Sequence, residues 1–169
     1  HLEQLHIGDT TFTALQTPGH AKHHIAREEE GTIFCGDVAG VKIDNGPVVP
    51  PCPPPDINLE DWKASIQLIL DRSPDQLYLT HFGCIKKENI SGHFEELQEI
   101  LSDWAYWVKE QWESGTELQE ITKAFSIYTA NQLKSKGVSE RGIQQYEAAN
   151  PAWMSVAGLV RYWKGIANN

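Results

Sequence analysis

Three positions in this sequence put a metal-ligand type of side chain directly behind a short apolar run and beside a glycine. They are His20 in Thr17-Pro18-Gly19-His20, Asp37 in Phe34-Cys35-Gly36-Asp37, and His81 in Leu79-Thr80-His81-Phe82-Gly83. Each run reads as a strand and each glycine as the turn beside it, which leaves the polar side chain at a strand end instead of inside a core. Imidazole and carboxylate are ligands that suit zinc, iron or manganese, and a carboxylate can bridge two cations. Singly the elements say little, because a lone buried histidine is more often a hydrogen-bonded core residue and Gly-Asp more often a plain turn. Their order and repetition are what point to a site.

The neighbours of these residues have blander readings. His24, four residues after His20, reads either as a group behind the ligands or facing substrate, or as a satisfied structural histidine. His23 is expected in solvent. Cys35 and Cys84 lie next to the proposed ligands but read as small apolar filler instead of thiolate ligands. His6 and His93 fall in no pattern and read as surface or strand residues, and Glu28-Glu29-Glu30 reads as a solvated hairpin tip.

The elements that must position these groups follow from periodicity. Alternating runs at 1–7 and 11–16 flank Gly8-Asp9, and runs at 24–29 and 32–35 flank Glu30-Gly31, so two hairpins are expected in succession. Residues 46–55 hold six of the nine prolines and should run as a stiff extended loop, a wall beside the site. Asn58 is expected to cap a helix to about Arg72 with Trp62, Ile66, Ile69 and Leu70 toward the core. A short strand, 77–80, leads to His81. Beyond about residue 90 the pattern is helical: Phe94, Leu97, Ile100, Leu101, Trp104, Trp107, Val108 and Trp112 mark one helix. A second is expected behind a Thr116/Gln119 capping box, with Leu118, Ile121, Phe125 and Tyr128 on one face. A last begins at Asn150-Pro151, with Trp153, Val156, Val160 and Trp163 together.

Composition bounds the partners. The formal net charge of −9 repels polyanions and offers no footprint for nucleic acid, so a small-molecule substrate is expected. No run of apolar residues is long enough for a membrane span. Three cysteines without a CxxC pair fit a reducing compartment, and the expected location is cytoplasmic. The chain starts at His1 and its one methionine is Met154, so it is read as a fragment.

TPGH, then FxGD, then a strand ending in histidine resembles, in order, the third, fourth and fifth metal-site elements of the metallo-β-lactamase superfamily. The segments PPCPPPDINLEDW and NPAWMSVAGLVRYWK are similar to the glyoxalase II-like hydrolases with a helical C-terminal extension. The resemblance implies an α+β fold: residues 1–90 as the C-terminal half of an αββα sandwich, and 91–169 as a helical extension. It implies His20 on a first metal, Asp37 bridging as the catalytic carboxylate, and His81 on a second metal. The family's remaining ligands come from an HxHxDH element, which this sequence does not contain. The implied cofactor is a pair of divalent ions, zinc first, with iron or manganese as alternatives, partial or absent in this chain alone. The implied reaction is hydrolysis of a small-molecule ester or thioester by a hydroxide that two metals activate. A persulfide-dioxygenase-like mononuclear iron oxidoreductase and an inactive, self-associating fragment remain as alternatives. The expected partners are the missing N-terminal half and a second copy, as a homodimer or larger.

Overall fold

A computed structural model describes residues 3–81 and 83–168. The start of the first expected strand, at His1 and Leu2, and Phe82 of the third motif lie outside the described residues. Both expected hairpins are present. β1 (Gln4–Ile7) pairs antiparallel with β2 (Thr10–Gln16), and β3 (Ile25–Glu29) pairs antiparallel with β2 and with β4 (Thr32–Gly36). After β4 come a 3-10 turn, Asp37–Ala39, and the two-residue strands β5 (Val41–Lys42) and β6 (Val48–Val49), which pair with each other. β6 lies inside the proline-rich segment, in the gap between Pro47 and Pro50 where both residues keep their N–H groups.

Helix α1 (Leu59–Asp71) is capped by Asn58, whose side chain accepts from the Asp61 N–H. It leads to β7 (Gln76–Leu79), which joins β4 in parallel, and then to β8 (Gly83–Lys86), which pairs antiparallel with β7. The sheet order is β1-β2-β3-β4-β7-β8. β8 is not visible in the sequence because Gly83-Cys84-Ile85-Lys86 is too short to show alternation. Four helices follow: α2 (Lys87–Glu113), α3 (Leu118–Ser135), α4 (Glu140–Ala149) and α5 (Ala152–Ala167).

One face of the sheet is buried. Leu15, Ala26, Ile33, Cys35, Leu77 and Ile85 point into a core shared with Trp62, Ile66 and Ile69 of α1 and with Phe94 and Leu97 of α2. The same core continues through Trp104 and Val108 to Phe125 of α3 and to Val156, Leu159 and Trp163 of α5. Glu28 also lies on this side, where it pairs with Arg72 at the end of α1 at 2.6 Å, so it is no solvated hairpin tip.

Three helical details differ from expectation. No capping box forms at Thr116, whose hydroxyl bonds Ser114 at 2.9 Å, and Glu117 is the N-cap of α3 without a side-chain bond. Trp153, in the first turn of α5, is exposed, because the apolar stripe of that helix is set by Val156, Leu159, Val160 and Trp163 one turn further on. His93 is buried in α2, where its Nε2–H donates to the Ala39 carbonyl at 2.8 Å, so it is neither a surface nor a strand residue.

Candidate metal centre

β2, β4 and β7 run in one direction, and their C-terminal ends open on one edge of the sheet. Gly36 pairs with Leu79 across the parallel β4–β7 ladder, which sets Asp37 and His81 one and two residues past neighbouring strand ends. This is where open sheets with parallel strands carry their ligand sites. The Thr17–His20 turn follows β2 at the same edge. His81 Nε2 lies 3.2 Å from Asp37 Oδ1 and His20 Nε2 lies 3.7 Å from Asp37 Oδ2, so the two imidazoles converge on one carboxylate.

Helix α1 fixes both turns. Ser65 Oγ donates to the Pro18 carbonyl at 2.6 Å, the Asn58 N–H to the Gly19 carbonyl at 2.9 Å, and Trp62 Nε1 to the Val38 carbonyl at 2.7 Å. Gly19 is required by contact as well as by its φ of +134°, because a Cβ there would overlap the Trp62 backbone.

The hydrogen bonds assign the histidine tautomers. Pro51 O, which can only accept, lies 2.9 Å from His20 Nδ1, so Nδ1 carries a proton and Nε2 is the nitrogen that faces the carboxylate. His24 is arranged the other way round. Its Nε2 accepts the Asp37 backbone N–H at 3.0 Å, so its Nδ1–H donates to Thr17 Oγ1 at 2.8 Å, and that hydroxyl in turn accepts from Ala26 N–H at 3.0 Å. Both ring nitrogens of His24 are thus occupied, and the residue supports the backbone of Asp37. Burial first, with the nearby His20 ring adding to it, holds the His24 pKa below 6.5 against the pull of Asp37. Gly36 leaves the room for this ring, since a Cβ would stand 2.5 Å from His24 Nε2.

Sequence reasoning had no access to the parts played by Thr17, the Pro51 carbonyl or Trp62. Thr17 is fully buried directly before the turn, and the other two act through backbone contacts between distant segments. His23 is exposed, as read from the sequence. Cys35 is fully buried, and burial pushes its thiol up to about 12, so it is neutral filler and no thiolate ligand.

Asp37 Oδ1 is buried and makes no hydrogen bond, since His81 Nε2 approaches it without one. A buried carboxylate oxygen left bare, with His20 Nε2 facing its partner oxygen, is a donor set that suits a cation. The set is not a closed one: among the described residues, no group of three or more His, Cys, Asp or Glu is arranged to hold a metal ion by itself.

No family model matches the chain. Over 95 residues it is 27% identical to the metallo-beta-lactamase fold-containing protein ST1585 of Sulfurisphaera tokodaii, a match that takes in 56% of this chain and 36% of the relative. The crystal structure of the metallo-beta-lactamase family protein TTHA1429 from Thermus thermophilus superposes with a TM-score of 0.61 at 19% identity, over 98% of this chain and 48% of that one. The chain therefore spans less than half the length of either relative. The mixed α and β fold is that of part of a metallo-β-lactamase protein, and the sequence is similar over 95 residues to a protein of that fold. Among the described residues, no helix is long and apolar enough to cross a membrane.

Proposed function

We propose that this chain is the part of a metal-dependent hydrolase that supplies His20, Asp37 and His81 to a two-metal site, and that the substrate is a small-molecule ester or thioester. The observation that carries this is the convergence of two imidazole Nε2 atoms on one carboxylate whose buried oxygen has no hydrogen bond. Divalent cations bound there supply activation of water and polarisation of a carbonyl oxygen. His20 is aimed by the Pro51 carbonyl, which takes its Nδ1–H, and Asp37 is held at its backbone by His24, so that both carboxylate oxygens are free for ligation. The remaining ligands come, on this reading, from outside these residues, which fits the 36% coverage of the Sulfurisphaera relative.

The test uses the full-length natural protein, metal-loaded, against a panel of thioesters and esters. Asp37→Ala should lower kcat/KM by more than about a hundredfold, beyond what loss of an outer partner of a metal ligand costs. Unchanged hydrolysis in that variant would overturn the assignment of Asp37. Oxygen uptake with a persulfide, in place of hydrolysis, would overturn the reaction class.

A further inference from the structure

The Pro51 carbonyl that fixes His20 belongs to a segment unable to fix itself. From Pro50 to Pro55 only Cys52 has a backbone N–H, so the chain can make neither a strand ladder nor a helix there, and its carbonyls look elsewhere for donors. They find them on the C-terminal helices. Asn150, between α4 and α5, donates from Nδ2 to the Pro50 carbonyl at 3.1 Å, and its Oδ1 is held by the Ser155 hydroxyl at 3.0 Å. Arg161 Nε donates to the Pro55 carbonyl at 3.0 Å. Between these two points α5 lies directly on the segment, since a Cβ on Gly158 would overlap Cys52 O.

From these contacts we propose that Asn150 is a positioning residue for His20, acting through the Pro50-Pro51 unit, so that the helical region sets the tautomer and aim of a metal ligand far from it in sequence. The proposal rests on the metal-site reading of His20. The physical link is the stiffness of the dipeptide. Proline fixes the φ of Pro51 at about −65°, so only one torsion, the ψ of Pro51, is left between the Pro50 and Pro51 carbonyls. A bond that orients the first carbonyl therefore narrows the orientations open to the second, which receives the His20 Nδ1–H. Loss of the Asn150 donor leaves the Pro50 carbonyl only the weak Cys52 thiol contact at 3.6 Å, loosens the hold on Nδ1 and lets the ring sample the tautomer that puts a proton on Nε2, where a cation would have to bind.

The experiment uses the full-length natural protein and two readouts: the His20 tautomer in the metal-free state, from proton–nitrogen correlation spectra of the ring, and zinc affinity by chelator competition. Asn150→Leu should turn a pure Nδ1–H signature into a mixture and weaken zinc binding about tenfold, the low end for partners of metal ligands. Ser155→Ala, which removes one hydroxyl and leaves the amide in place, should move both readouts the same way by less, and serves where Asn150→Leu folds poorly. Tyr128→Phe breaks an unrelated helix–helix bond to Asp103 and should move neither. His20→Ala separates the two levels. Wild-type tautomer and affinity in both the Asn150 and Ser155 variants, with weakened zinc binding in His20→Ala, would overturn the positioning role and leave the metal site standing. Unaltered zinc binding in His20→Ala would overturn the metal-site reading and this inference with it.

Discussion

His24 and His93 both have ring nitrogens engaged inside the protein, and for His93 the consequence is measurable stability. Its Nε2–H reaches the carbonyl of Ala39, in the 3-10 turn that begins at Asp37, and burial lowers its pKa below 6.5 against the pull of that hydrogen bond, with Lys42 adding to the lowering and Glu96 opposing it. The neutral ring is the folded form. Because the folded pKa is depressed, the stabilisation is complete above pH 6.5 and declines as pH falls below that value, where the unfolded chain takes up a proton that the folded one resists. His93→Ala should lower unfolding free energy by about 1–3 kcal/mol, the cost of an unpaired buried carbonyl, with little change in kcat per folded molecule. His93→Gln keeps a donor without a titrating ring, so its stability should fall less steeply than the wild type's between about pH 6.5 and 5. Denaturant titrations at several pH values check both, and parallel pH slopes for wild type and His93→Gln would remove His93 from the account. That His20, Asp37 and His81 each follow a strand was legible from local spacing. His93 was misread because its partner lies 54 positions away, and no local pattern encodes that bond.

At the scale of elements, the strong periodicities were legible and the contacts that shape the site were not. The two hairpins, α1 with its Asn58 cap and the long stripe of α2 could be read because turn residues and apolar spacing are properties of one segment. α4 passed unnoticed because its ten residues are mostly polar and bury only Tyr146, which leaves few apolar positions to mark a face. Gly158 is the sharper case. A glycine inside a helix reads as a weak point, since alanine is about 1 kcal/mol better there. Its place against Cys52 O reverses that expectation: Gly158→Ala should destabilise the protein by about 1–3 kcal/mol through overpacking despite the gain in helix preference. A raised thermal midpoint in that variant would mean that the helix and the proline segment separate without cost.

At the scale of the whole molecule, the sheet has one covered face and one open face. The open face carries Leu5, Ile7, Phe12, Ile25, Phe34 and Tyr78, with Phe34 stacked on Tyr78 at 5.4 Å and edge-on to Phe12 at 6.0 Å. Leu5 is 47% exposed, Ile7 59%, Phe34 43% and Tyr78 40%, which makes this a largely apolar surface, with Arg27 and Glu29 of β3 on the same side. Monomeric proteins seldom leave such a patch in water beyond a few hundred Å², and β1 and β8 at the two ends of the sheet offer unpaired edges as well. The 169-residue chain, produced by itself, is therefore expected to associate with a second copy through this face. Its net charge of −9 opposes that contact, and salt screens charge over a Debye length of about 8 Å at physiological ionic strength. Association should therefore strengthen with added salt, the reverse of what a contact held by ion pairs would do. Phe34→Lys with Tyr78→Lys changes outward-facing side chains only, so the double variant should keep its helix signal while its mass shifts toward the monomer. Light scattering across concentration and salt reads both effects. A wild-type chain that stays monomeric throughout, or one whose association ignores the double substitution, would show that this face is not where the chain pairs.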